Sequence, residues 1–227
     1  MAIKSYVLIV GLIGAVPAPA HDPITTKLTW TQEISRIVYK RCAGCHREGG
    51  AAFSLTTYED ARPWAKAIRE EVLERRMPPW GAVEGVRALR DDPSLTPLEV
   101  EMIVSWVEGG APEGDPAYLP PAPKFDSPRR TGKNACPTVT IESNKPYLLH
   151  EAVTVAAVAP RDLGDGRSME VTAYKPDGAV EHLIWLRNYR EVWTRTYWLR
   201  TPLELPAGTR ILVYSAAPAA AVLSLQN

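Results

Sequence analysis

Five residues, Cys42-Ala43-Gly44-Cys45-His46, constrain this chain more than any other stretch. Two thiols at this spacing with an imidazole directly after them suit covalent haem attachment. Each thiol adds to one haem vinyl group as a thioether, and the histidine is then held beneath the iron as proximal ligand. The expectation is one covalent haem c, with Cys42 and Cys45 as its anchors and His46 as an iron ligand. Other chemistries of a Cys-x-x-Cys pair fit less well. A redox dithiol calls for a strand before it and a helix after it, whereas an amphipathic pattern runs into this motif and a Gly-rich stretch leaves it. A structural zinc site needs two more ligands at close spacing, and the next cysteine is the distant Cys136.

Haem attachment of this kind presupposes export. Residues 1–20 carry a basic start at Lys4, an apolar run from Tyr6 to Val16 and small residues in Ala18-Pro19-Ala20. That is the pattern of a cleavable signal peptide, cut after Ala20, and it predicts a periplasmic or secreted protein. The apolar run is shorter than the roughly 20 residues a spanning helix needs, and no later segment reaches that length, so no membrane span is expected. Lysine plus arginine and aspartate plus glutamate number 26 each. Such balance gives no basic surface for nucleic acid. Haem uses two of the three cysteines, which excludes a disulfide scaffold and leaves Cys136, beside Pro137, as a small hydrophobe.

The pattern before residue 112 is helical. Ile34, Ile37, Val38 and Cys42 recur on one face of a helix beginning near Thr31, which delivers the chain to the haem motif. Thr57 with Asp60 reads as a capping box ahead of a face formed by Ala61, Trp64, Ala65, Ile68 and Val72, ended by Pro78-Pro79. Thr96-Pro97 opens a third helix through Val100, Ile103, Val104 and Val107 to Gly109-Gly110. Six prolines between Ala111 and Arg129 mark an extended linker. After it the period becomes two. Met169 to Tyr174, a turn at Pro176-Asp177-Gly178, and Val180 to Leu186 make a hairpin, and Val192 to Leu199, Arg210 to Tyr214 and Ala221 to Leu225 supply further strands. The expected class is α + β in separate domains: a signal peptide at 1–20, a small all-α cytochrome c domain at 21–111, a linker at 112–135 and an antiparallel β-sandwich at 136–227.

An electron carrier needs a second axial ligand. Met77 is the best placed methionine, in the stiff segment Arg76-Met77-Pro78-Pro79-Trp80, where prolines limit the ordering cost of ligation; the plain alternative is a helix-terminal core residue. Met102 and Met169 read as packing residues, and His150 and His182 as isolated strand histidines. His21, first in the processed chain, would chelate copper only with another histidine beside it. Trp185, Tyr189, Trp193, Tyr197 and Trp198 read as sandwich core.

Arg41 to Arg47, Phe53-Ser54-Leu55, Tyr58 to Ala65, Arg76 to Trp80 and Ile103 to Pro112 together resemble an environmental bacterial family of monohaem cytochromes c. In that family the haem module is often fused to a domain similar to the C-terminal half of copper type II, ascorbate-dependent monooxygenases. The resemblance covers residues 30–125 and implies Met77 as distal ligand. A fainter likeness to the copper domain runs through Gly166 to Ala173, Pro176-Asp177-Gly178, Leu183-Ile184-Trp185 and Leu205 to Arg210. Where relatives carry a His-x-His copper pair, this chain reads Arg161-Asp162-Leu163, and arginine is no copper ligand. The implied domain is a degenerate one, without copper.

The reading is an exported electron carrier rather than an enzyme, its partner a redox protein and its β-domain a recognition or structural module. Two rivals remain: a redox subunit of a copper-dependent monooxygenase, which the missing histidines oppose, and a haem-based ligand sensor releasing Met77, which the paired prolines oppose.

Overall fold

The computed structural model describes residues 27–125 and 136–226. The signal peptide, His21 and residues 126–135 of the expected linker lie outside the described residues. Among the described residues the chain makes a few short helices followed by two four-stranded antiparallel sheets, a mixed α + β fold. No described helix is long and apolar enough to cross a membrane.

Thr29 caps a wide turn at Trp30–Ile34, accepting from Gln32 N at 3.3 Å, and the turn runs into α1 (Ser35–Arg41). Trp30, Ile34, Ile37 and Val38 are buried, with Cys42 packed against the same cluster, as the helical spacing requires. The second expected helix is broken. Pro63 turns its start into α2 (Tyr58–Ala61) and a 3₁₀ turn at Arg62–Trp64, before α3 (Ala65–Leu73). Thr57 accepts from Asp60 N at 3.1 Å, which is the forward half of the box. Trp64 leaves the predicted face: it is 48% exposed and lies against Phe53, with ring centroids 4.7 Å apart. Helix α4 (Pro97–Glu108) has the full box, with Glu99 N donating to Thr96 Oγ1 at 3.2 Å and Thr96 N to Glu99 Oε2 at 2.8 Å. Trp106, Trp30 and Tyr58 form its aromatic contact with the first turn.

The first linker residues are not free. Trp30 N donates to Pro112 O, Thr31 N to Glu113 O and Trp106 Nε1 to Pro112 O, at 2.9–3.0 Å, pinning residues 112–113 beneath the helices. Backbone groups beside the N-terminal turn take these partners because its first N–H groups have none within the helix.

The eight strands are β1 (Thr138–Glu142), β2 (Tyr147–Leu148), β3 (Val153–Arg161), β4 (Met169–Tyr174), β5 (Val180–Leu186), β6 (Tyr197–Leu205), β7 (Arg210–Ser215) and β8 (Ala220–Gln226). They order as β1-β8-β3-β6 and β2-β7-β4-β5. Both sheets feed one core, Val155, Tyr197 and Leu223 from the first and Val171, Leu186 and Val213 from the second. The β4–β5 hairpin forms as predicted, with a bulge after Val171. The strand expected from Val192 does not. Residues Glu191–Trp193 form a 3₁₀ turn, held by Glu191 N on Asp165 Oδ1 at 2.6 Å and Tyr189 Oη on Thr194 Oγ1 at 3.0 Å, and Val192 is 86% exposed. β6 starts later and continues through Pro202, which an edge strand tolerates. Tyr189, Trp193 and Tyr197 are buried, but Trp185 and Trp198 stand partly outside the core. His150 sits in a bend between β2 and β3 rather than on a strand.

One segment crosses the expected boundary between helical and β parts. Residues 80–90 leave the Met77 loop and lie along the outer edges of both sheets. Ala82 bridges Leu186 on β5, and Leu89 bridges Leu199 on β6. Val83 N donates to Trp185 O at 2.8 Å, Arg187 N to Gly81 O at 2.9 Å, Arg90 N to Trp198 O at 2.8 Å and Arg200 N to Ala88 O at 2.9 Å. Arg87 adds a 2.6 Å ion pair with Glu181 and donates to His182 O at 2.8 Å. Trp80 and Leu89 are members of the β core, not of the helical one. Unpaired edge strands need such cover, which is why this stretch is assigned to the sheets although it precedes α4.

Candidate functional site

The end of α1 becomes a tight turn in which Cys45 N and His46 N both donate to Cys42 O, at 3.0 and 2.9 Å. Cys42, Cys45 and His46 thus share one turn, with Cys45 exposed and Cys42 against the helical core. Gly50 permits the return of the following loop. A Cβ there would lie 2.3 Å from Cys45 O, closer than any side chain allows. His46 Nδ1 lies 3.0 Å from Phe53 O. A carbonyl only accepts, so Nδ1 is the donor in this bond and Nε2 is the ring nitrogen left to face a metal. Phe53 also sets its ring edge-on to the imidazole, with centroids 5.0 Å apart.

Burial, with Glu99 adding to it, pushes the Cys42 thiol up to about 12. Redox dithiols work through a thiol of lowered pKa, and the shift at Cys42 runs the other way. The structural context agrees: a helix enters the motif and turns follow it.

Met77 is 40% exposed. Its loop is tied at the near end by Arg76, whose guanidinium makes two 2.9 Å bonds to the Glu71 carboxylate, and by Arg76 N and Met77 N on Glu71 O. The Arg76 hydrogen bonds hold the Glu71 carboxyl below its usual range. The Met77–Pro78 peptide is cis. Met77 opens on a cavity of about 650 Å³, a volume within the roughly 300–1,000 Å³ of cofactor pockets. Val72, Leu73, Leu95 and Val100 line it from the helical side, Arg187, Asn188 and Trp193 from the sheets. Val100 packs on the same core cluster as Cys42. The neighbouring Glu99 takes the Arg41 guanidinium at 3.0–3.1 Å, so α4 links the base of the cysteine turn to the wall of the Met77 cavity.

The donor types suit a c-type haem: two thiols and an imidazole share one turn, and a half-exposed thioether stands on a cavity of mixed polar and apolar lining, to which Cys42, Cys45 and His46 do not contribute. Among the described residues no three His, Cys, Asp or Glu side chains gather as a metal-holding group. His182 Nδ1 meets Glu170 Oε1 at 2.9 Å on the outer face of its sheet, Arg161 ends β3 exposed, and Cys136 is a half-buried free thiol. Arg69 pairs with Glu108 at 2.9 Å. Sequence reasoning missed the part played by Trp80, Arg187 and Tyr197 around the Met77 loop; the Trp directly after Pro78-Pro79 was the available signal. No known protein family matches the chain, and no curated protein does.

Proposed function

We propose that this chain is an exported monohaem c-type cytochrome that carries single electrons, bonded to its haem through Cys42 and Cys45 and ligating the iron with His46 and Met77. The observation that carries this reading is the His46 ring: it directly follows the Cys-x-x-Cys turn, and Phe53 O accepts a hydrogen bond from its Nδ1, so that Nε2 would be the nitrogen offered to the iron. When bound, the haem supplies a one-electron iron couple whose potential a thioether ligand and apolar surroundings raise. The chain does the rest. Phe53 O orients the imidazole, the Glu71–Arg76 fork and the prolines steady Met77, and Val72, Leu73, Leu95 and Val100 supply the apolar part of the cavity wall.

With no bond made or broken in a substrate, this is a carrier rather than an enzyme, and its partner is another redox protein. The helical half is read as a small cytochrome c domain and the two sheets as a sandwich similar to the copper monooxygenase domain, kept without its metal. The motifs from Arg41 to Pro112 support this reading through their resemblance to the bacterial monohaem family. A signal peptide cut after Ala20 sends it to the periplasm or beyond.

The test is mass spectrometry of protein exported in cells that mature c-type cytochromes. One haem should survive acid and organic extraction, and Cys42→Ala with Cys45→Ala should abolish this. Met77→Ala should erase the long-wavelength sulfur-to-iron band, lower the potential and admit external ligands to the iron. Haem that extracts from the unmodified chain, or a band that persists without Met77, would overturn the assignment.

A further inference from the structure

The Met77 loop has two anchors, and they belong to different halves of the molecule. The near one is the Arg76 fork on Glu71. The far one is Trp80, three residues after Met77, whose side chain is 6% exposed and sits in the β core. Tyr197 of β6 holds it twice. Its hydroxyl donates to Trp80 O, and its ring meets the indole in an edge contact with centroids 5.0 Å apart. The Arg195 guanidinium covers the indole face at 5.2 Å. Burial holds the Tyr197 phenol well above its ordinary value, so it stays a donor at every pH the protein meets. Between Met77 and Trp80 stand two prolines with fixed φ, leaving little slack to absorb a movement of the anchor.

Resting on the reading of Met77 as distal ligand, we propose that Tyr197 is a positioning residue for the iron site: through Trp80 the β-half holds Met77 in place and so sets how firmly the sulfur stays on the metal. The sheets are then part of the haem site's mechanics. A loop freed at Trp80 samples more conformations, and each one incompatible with ligation lowers the apparent affinity of the sulfur for iron.

The experiment is imidazole titration of the ferric haem-loaded protein, because imidazole must displace Met77. Tyr197→Phe keeps the ring and removes only the hydroxyl. Loss of one buried hydrogen bond to the loop should tighten imidazole binding about tenfold and weaken the sulfur-to-iron band. In a Met77→Ala background the same substitution should change imidazole affinity by less than about twofold, since nothing remains to be positioned. Equal tightening in both backgrounds would mean that Tyr197 merely stabilises the fold, and no tightening in either would mean that the clamp does not reach the iron; both overturn the proposal. A Met77→Ala protein that binds imidazole as the parent does would instead defeat the ligand assignment itself. If Tyr197→Phe does not accumulate, Trp80→Phe takes its place, with the same expected tightening and the same dependence on Met77.

Discussion

Glu99 does three jobs with one carboxylate: it closes the capping box of α4, takes both prongs of Arg41, and draws Lys40 to 3.8 Å. Burial pushes its carboxyl up, but the Arg41 hydrogen bonds, the Thr96 N–H and the two cations outweigh burial and leave it below its usual value. A carboxylate whose folded pKa is depressed contributes stability that is complete above the unfolded value near 4.3 and disappears as pH falls through the folded value. Glu99→Gln keeps an oxygen for the Thr96 N–H and deletes the charge. We expect it to cost about 1–2 kcal/mol at pH 7, in denaturant unfolding, and progressively less below pH 4 as the parent's own carboxylate is protonated. A penalty independent of pH would show that shape, not charge, is what Glu99 supplies. The substitution acts next to Cys42, because Arg41 is the residue that ties the cysteine turn to α4.

Segment 80–90 is an element without a period. Gly81-Ala82-Val83-Glu84-Gly85-Val86-Arg87-Ala88-Leu89 shows neither helical spacing nor alternation, and its partners lie about a hundred residues away, at separations of 94, 95, 109 and 117 for its bonds to Glu181, His182, Leu199 and Tyr197. Leu89 is 4% exposed within the β core. Leu89→Ala should therefore cost about 2–4 kcal/mol, the loss expected for a buried leucine, while Glu84→Ala on the exposed stretch should stay within about 0.5 kcal/mol. Equal unfolding midpoints for the two variants would remove this strap from the core. The same contrast explains what could be read from the chain alone. Helix α4 was legible because Thr96-Pro97 opens it, Gly109 ends it and helical apolar spacing runs between them, and the β4–β5 hairpin because its turn and alternation are local. The Cys42–His46 motif was legible for the same reason. Strand β3 was not, since Val155 to Val158 are buried on both faces and show no alternation. The grip of Tyr197 on Trp80 was not, since nothing near Trp80 in sequence announces a partner 117 residues away.

At the scale of the whole molecule, the two sheets have four edge strands, β1, β2, β5 and β6, and two of them, β5 and β6, are covered by a segment that precedes α4. A domain cut at the proline-rich stretch would separate the sheets from their cover, from Trp80 and Leu89 in their core, and from the Arg87–Glu181 pair. Long-range pairings of this kind form after the local ones, because loop closure must be met before they stabilise anything. The short helices, whose own bonds are local, should form first, and the strap should dock as the sheets complete. The expected consequence is that a fragment of residues 136–227 does not behave as a free-standing module. It should elute from a sizing column as oligomers or aggregates through β5 and β6, and a synthetic peptide of residues 79–91 added in excess should convert part of it to monomer. A monomeric fragment that unfolds at the same denaturant concentration as the sheets of the full chain, with or without the peptide, would show that the strap is decoration and that the boundary near residue 111 is a true domain boundary. If the fragment needs the peptide, the Met77 loop and the sheets form one cooperative structure, and a change on the outer edge of β6 can be felt at Met77.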